Sequence, residues 1–157
     1  MCDRWLLVVG ALTSLCLGVS ACAPAGPSAE DLATTAPFAA SPPGAGELEA
    51  GRAEARWSIG ASSNSLADRV LVTEQSQADV VAWYAAVVDA DGWQQTTSGY
   101  VDMIDGASTS SAWRKGDLVI GLGFPDRASL LRQGRSYPDG TLFEITITDQ
   151  PVATNSP

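Results

Sequence analysis

The chain has 157 residues, a length that fits one domain of ordinary size. Nine Lys and Arg stand against 18 Asp and Glu, with no His, for a net charge of −9. That balance argues against nucleic-acid binding, which needs a basic surface to displace phosphate counterions, and against electrostatic attraction of the domain to anionic lipid.

The first element is apolar. After the polar start Met1 to Arg4, a run rich in Leu, Val and Ala extends from Trp5 to Val19. At about 15 residues it is short for a membrane span and has the length of a signal-peptide core. A buried helix is the alternative reading, but Gly10, Gly18 and Ser20 weaken a helix interior. The run closes on Val19-Ser20-Ala21-Cys22. This stretch resembles the lipobox of bacterial lipoproteins: an aliphatic residue, two small residues, then cysteine. The resemblance covers residues 1–22. It implies that the Cys22 thiol receives a diacylglycerol and that a signal peptidase cuts just before it. Residues 1–21 would then be the signal peptide, and Cys22 the lipid attachment site and new N-terminus. Two acyl chains hold a protein stably where one does not. An ordinary secretory cut would instead leave Cys22 as a lone exported thiol, which invites intermolecular pairing. Cys2 and Cys16 precede Cys22, so the rest of the chain offers no disulfide, thiol nucleophile or cysteine metal site.

Residues 22–55 read as a disordered tether of Ala, Pro, Gly, Ser, Thr and Glu. Only Leu32, Phe38 and Leu48 are large and apolar, and Pro24, Pro27, Pro37, Pro42 and Pro43 interrupt any helix. Such composition buries too little to offset chain entropy. A flexible linker of this length has a root-mean-square reach of roughly 30 Å.

Residues 56–149 read as a small α+β domain, one amphipathic helix packed on an antiparallel sheet of four to five strands, followed by a flexible tail at 150–157. Arg69 to Thr73 is the first clear strand. Ser76-Gln77-Ala78-Asp79 has the form of a capping box, with Asp in place of Glu or Gln. The stripe Val80, Trp83, Tyr84, Val87 and Val88 then predicts a helix from Gln77 to about Ala90. Gly92 supplies a left-handed cap, and Trp93 the apolar partner of a Schellman motif. Gln94 to Tyr100 follows as a strand, and Ser110 to Arg114 with Asp117 to Phe124 form a hairpin around Lys115-Gly116. In its second strand Leu118, Ile120, Leu122 and Phe124 form a buried face, and Val119, Gly121 and Gly123 a nearly bare one. Asp126 to Gln133 is a short helix or a loop. Tyr137-Pro138-Asp139-Gly140 is a turn that launches the strand Thr141 to Thr148. The helix ending in Gly92-Trp93 before a meander of strands resembles small uncharacterised actinobacterial lipoproteins and carries no catalytic residue to transfer. Lys115 is the single lysine, and this Arg bias, with abundant Ala and Gly, fits a GC-rich actinobacterial genome.

The chemistry available is narrow. Without His there is no His-based triad or metal centre, and no G-x-S-x-G, P-loop or G-x-G-x-x-G occurs. Asp89-Ala90-Asp91-Gly92 echoes the start of a calcium loop without its later ligands, even if Asp102 and Asp105 add oxygens. Glu74 and Glu144 are the candidates for a general acid–base pair, but Glu144 is expected on the polar face of its strand. Asp68 and the remaining Asp residues are expected at element ends or in loops, ionised and solvated. Trp57, Trp83, Trp93, Trp113 and Tyr100 are the aromatics for a sugar or peptide groove. Core positions are expected for Trp83 and Trp93, while Trp57 and Trp113 stay open. The expectation is a lipid-anchored, non-enzymatic accessory or binding module on the outer face of a bacterial membrane, with no catalytic residue, cofactor or metal. Its partners are the membrane, through Cys22, and an envelope protein; nucleic acid is not among them. The alternatives are an envelope hydrolase using carboxylates and a structural subunit of an envelope complex.

Overall fold

A computed structural model describes residues 26–58, 61–96 and 108–150. Cys22, Tyr100, Asp102 and Asp105 lie outside these residues, as do the signal peptide, most of the strand expected over Gln94 to Tyr100, and nearly all of the tail. The fold is α+β. Its elements are α1 (Ala29–Ala33), α2 (Ala36–Ala39), β1 (Gly46–Ala53), β2 (Arg56–Ser58), β3 (Ala61–Ser63), β4 (Leu66–Thr73), α3 (Gln77–Ala90), β5 (Gln94–Gln95), β6 (Ser108–Lys115), β7 (Leu118–Phe124), α4 (Arg127–Arg132) and β8 (Thr141–Asp149). Six strands form one antiparallel sheet in the order β1-β4-β8-β7-β6-β5, and β2 pairs with β3 in a separate ribbon.

Helix α3 forms as its caps dictate. Ser76 Oγ accepts from the Asp79 N–H, and the Asp79 carboxylate accepts from the Ser76 N–H, so two orphan donors are satisfied reciprocally. At the far end Gly92 adopts φ +78°, and the Trp93 and Gly92 N–H groups donate to Val88 O and Asp89 O, the paired bonds of a Schellman motif. The buried face of α3 is Val80, Tyr84 and Val88. Trp83 and Val87 are half-buried, as are Val81 and Ala85. The helix is therefore turned slightly from the expected stripe: Trp83 packs at the rim of the core, edge-to-face on Tyr84 at 4.8 Å, instead of filling its centre.

The main core lies between α3 and one face of the sheet, where Leu71, Ile120, Leu122, Phe143, Ile145 and Ile147 are closed off from solvent. The opposite face corrects an expectation. Val119, Gly121 and Gly123 are buried, so β7 has no bare side. It sits inside the sheet, and α4 covers part of that second face by packing Leu130 with Val70 and Leu142. The segment Asp126 to Gln133 resolves as this helix, its first turn capped by the Asp126 carboxylate.

The largest correction concerns residues 22–55. From Ala29 to Ala53 the chain is folded, not a tether. Leu32 and Phe38 belong to the main core, and β1 pairs along β4. Pro37 sits in the first turn of α2, where its missing N–H has no partner to lose. Strand β1 is a sheet edge and is mostly exposed, so it needs no apolar alternation to hold its place. Side chains from the rest of the fold fix the segment. Both Glu54 carboxylate oxygens accept from the Ala29 N–H at 3.2 Å, and the Tyr84 hydroxyl donates to Ala40 O at 3.2 Å. Arg69 donates from Nη1 to Phe38 O at 2.8 Å and Ala40 O at 3.2 Å, from Nη2 to Ser41 Oγ at 2.8 Å, and from Nε to Glu47 at 2.6 Å.

Candidate functional site

Among the concavities lined by described residues, three bear on the site. One, of about 390 Å³, lies between the end of α3 and the β5–β6 edge and is lined by Ala85, Ala86, Asp89, Trp93, Gln95 and Trp113. A second, of about 360 Å³, shares Gln95 and continues past Gly92, Gln94, Thr96, Arg114 and Lys115. The two meet at Gln95 on the short edge strand β5, and we refer to them jointly as the β5 groove. The Schellman turn delivers Trp93 to it, and the pairing of Gln95 with Trp113 sets the second indole beside Gln95. Both indoles are mostly buried, at 4 % exposure each, so they wall the groove while serving the core. Trp113 thus reaches the surface only as a groove wall. Trp57 lies in β2 opposite Ser62.

Asp91, Lys115 and Arg114 are committed to the frame of the groove. Asp91 accepts from the Trp93 indole N–H at 2.9 Å and from Lys115 Nζ at 3.1 Å, and Lys115 also donates to Asp91 O at 2.7 Å. The Trp93 hydrogen bond first, then Lys115, holds the Asp91 carboxyl below the usual carboxylate range. Asp91 therefore clamps the Trp93 indole and Lys115 together at the groove. Among the described residues no group of three or more Cys, Asp or Glu side chains is placed to hold a metal ion. Arg114 donates to Gln150 O at 2.8 Å. The Gln94 and Gln95 side chains are exposed, and no described residue occupies either amide. The groove thus offers amide hydrogen bonds, indole walls and the Asp89 carboxylate.

The third concavity, of about 240 Å³, lies between α2 and β1 beside Phe38, Ala50, Arg52, Asp68 and Arg69. Arg69 spends its donors on the α2 segment and Glu47, and Arg52 pairs with Glu30, so both cations there serve the fold.

The acids depart furthest from expectation. Glu144 is fully buried, although its strand alternation places it on the polar face. Its Oε1 accepts from the Thr146 hydroxyl at 3.3 Å. Asp68 lies inside β4, at 4 % exposure, not at an element end. Burial, reinforced by the negative charge of Glu49, pushes its carboxyl above the usual range against a Gly51 N–H bond that lowers it. A Cβ on Gly51 would fall 2.4 Å from Asp68 Oδ1, so the carboxylate fits there because β1 is bare at that point. Asp149 is buried as well and accepts from the Ser65 N–H at 3.1 Å. Register puts Asp68 opposite Thr146 and Val70 opposite Glu144, so both acids share the sheet face turned away from α3 and Trp113. Glu74 is exposed in the turn before α3, and the structure does not bring it onto the strand face that carries Glu144. Sequence alternation located the second sheet face but gave no sign that it is covered. The paired Gln94-Gln95 at an edge was the one unused signal for the groove.

Among the described residues no helix is long and apolar enough to cross a membrane. No family model, curated protein or solved structure matches the chain.

Proposed function

We propose that the protein is a lipid-anchored, non-enzymatic accessory or binding module, held by Cys22 on the outer face of a bacterial membrane, with the β5 groove as its binding surface. One observation supports the binding reading above the hydrolase alternative. The indole-walled part of the groove, at Trp93, Gln95 and Trp113, lies on the α3 face with the exposed Asp89 as its carboxylate, whereas the buried acids Asp68 and Glu144 lie on the other face of the sheet. A general acid at neutral pH needs a carboxyl that is both raised in pKa and open to substrate. Asp68 has the first property and is closed to a polymer by its burial.

Incubation of the purified protein with peptidoglycan, ester and glycoside substrates should give no turnover. Reproducible turnover that disappears in Glu74→Gln or Glu144→Gln contradicts the reading and favours the hydrolase. Intact-mass analysis of the mature protein should find an acylated N-terminal Cys22, and Cys22→Ala should leave the precursor unprocessed and without lipid. A mature N-terminus at Ala23 or beyond, without lipid, contradicts the anchor.

A further inference from the structure

We infer that one end of the sheet, the turn Lys115-Gly116-Asp117 with the neighbouring mouth of the β5 groove, is held against the headgroup layer of the anchoring membrane. The inference rests on the lipid attachment at Cys22 proposed above and adds to it an orientation.

Little chain is left for a leash. Helix α1 starts at Ala29, which is buried, and its N-cap Ser28 is fixed by hydrogen bonds with Asp31. Docking extends further toward the N-terminus. A Cβ on Gly26 would fall 2.4 Å from Asp149 Oδ2, so the backbone of Gly26 already lies against the end of β8. Only Ala23, Pro24 and Ala25 separate Cys22 from Gly26. Four residue steps span at most about 14 Å when fully extended. That is half the reach of the tether that composition suggested.

Topology then decides which end of the sheet is held close, the end that also carries the close of β1 and the start of β4. Asp149 is opposite Leu118, so the end of β8 is also the start of β7 and the site of the β6–β7 turn. The Gln150 N–H donates to Asp117 O at 2.6 Å, and Arg114 donates to Gln150 O, binding that turn to the same corner. Gln94 is opposite Arg114, which puts the Gly92, Gln94 and Lys115 side of the groove at this end. The opposite end carries Asp139, Gly140 and the start of β8. Eight strand steps separate the two ends by about 27 Å, roughly twice the leash.

The partner is the headgroup layer, and its contact is imposed by the leash and not by charge. Lys115 is paired with Asp91, Asp117 adds a negative charge, and the chain carries −9 overall. The groove therefore samples molecules within reach of the membrane surface.

The test uses the mature lipidated protein in vesicles of phosphatidylcholine and phosphatidylglycerol with an energy acceptor on a fraction of the headgroups. Asp117→Cys and Asp139→Cys, both at exposed positions, give single labelling sites once the Cys22 thiol is alkylated. Energy transfer should be several-fold stronger from position 117 than from position 139. A flexible Gly/Ser insert of about 30 residues between Ala25 and Gly26 should cut the transfer from 117 and reduce the difference. Equal transfer from the two positions in protein whose mass confirms the lipid overturns this inference and leaves the anchor standing. An insert that changes nothing overturns it too. Protein that carries no lipid overturns both readings.

Discussion

Helix α3 and the segment from Ala29 to Ala53 are both integral to the fold, yet they are ordered by different means. In α3 the determinants are local: a capping box, an apolar face and a glycine stop lie within 18 residues, Ser76 to Trp93. In the N-terminal segment they are remote. Strand β1 has an exposed surface with no alternation, and its order comes from backbone pairing to β4 and from Arg69, Tyr84 and Glu54 reaching back to α1 and α2. The comparison teaches that low apolar content signals disorder only where a chain must build its own core. A segment that lends two anchors, Leu32 and Phe38, to another core needs little more.

The sharpest way to break this comparison is at Phe38. Its ring is 1 % exposed, and Phe38→Ala should cost about 3–5 kcal/mol, as much as truncating a core residue on α3 such as Tyr84. Thermal or denaturant unfolding measures both. A silent Phe38→Ala would return the segment to the status of a tether. Next in size is Arg69→Ala. The Arg69 side chain is only 14 % exposed, and its guanidinium bonds two carbonyls, a hydroxyl and a carboxylate, so its loss should cost about 1.5–3 kcal/mol. Proteolysis near residues 38–45 should accelerate more than proteolysis within α3.

Ser76→Ala tests the locally determined region. Loss of the capping box should cost about 1 kcal/mol and should loosen α3 without exposing β1. The smallest effect concerns Asp68, which faces Gly51 of β1 from within β4. Its folded pKa is raised, so the folded state binds that proton more tightly than the unfolded chain does. Its contribution to stability is therefore greatest in acid, below the unfolded value of about 4, and declines as pH rises through the folded value. Asp68→Asn removes that dependence. The difference in melting temperature, variant minus parent, should increase from about pH 4 to pH 7. A flat difference would mean that the carboxyl is not desolvated.

Much of the fold from Leu66 onward was legible because each signal was short-range: the Ser76–Asp79 box, the Gly92-Trp93 stop, and the β6–β7 turn at Gly116, where φ is +61°. The face of α3 was read with its centre displaced toward Trp83, because that large apolar residue outweighed its actual place at the core rim. Burial of Asp68 and Glu144 was not legible. Alternation assigns a side chain to a sheet face, but whether that face is covered depends on elements distant in the chain, here including α4 and its Leu130. For the candidate site, Trp93 and Trp113 stand out in the sequence as aromatics, but their convergence with Gln95 depends on the β5–β6 pairing, which no periodicity announces.

Amide hydrogen exchange of the intact protein tests most directly whether the N-terminal segment is a docked part of the domain. The β1 amides that point at β4, between Glu49 and Ala53, should be protected well above the rates of an unstructured chain, and the amides of α1 with them. Exchange at unstructured rates throughout residues 29–53, beside a protected α3, would contradict the account and return the domain to a long tether.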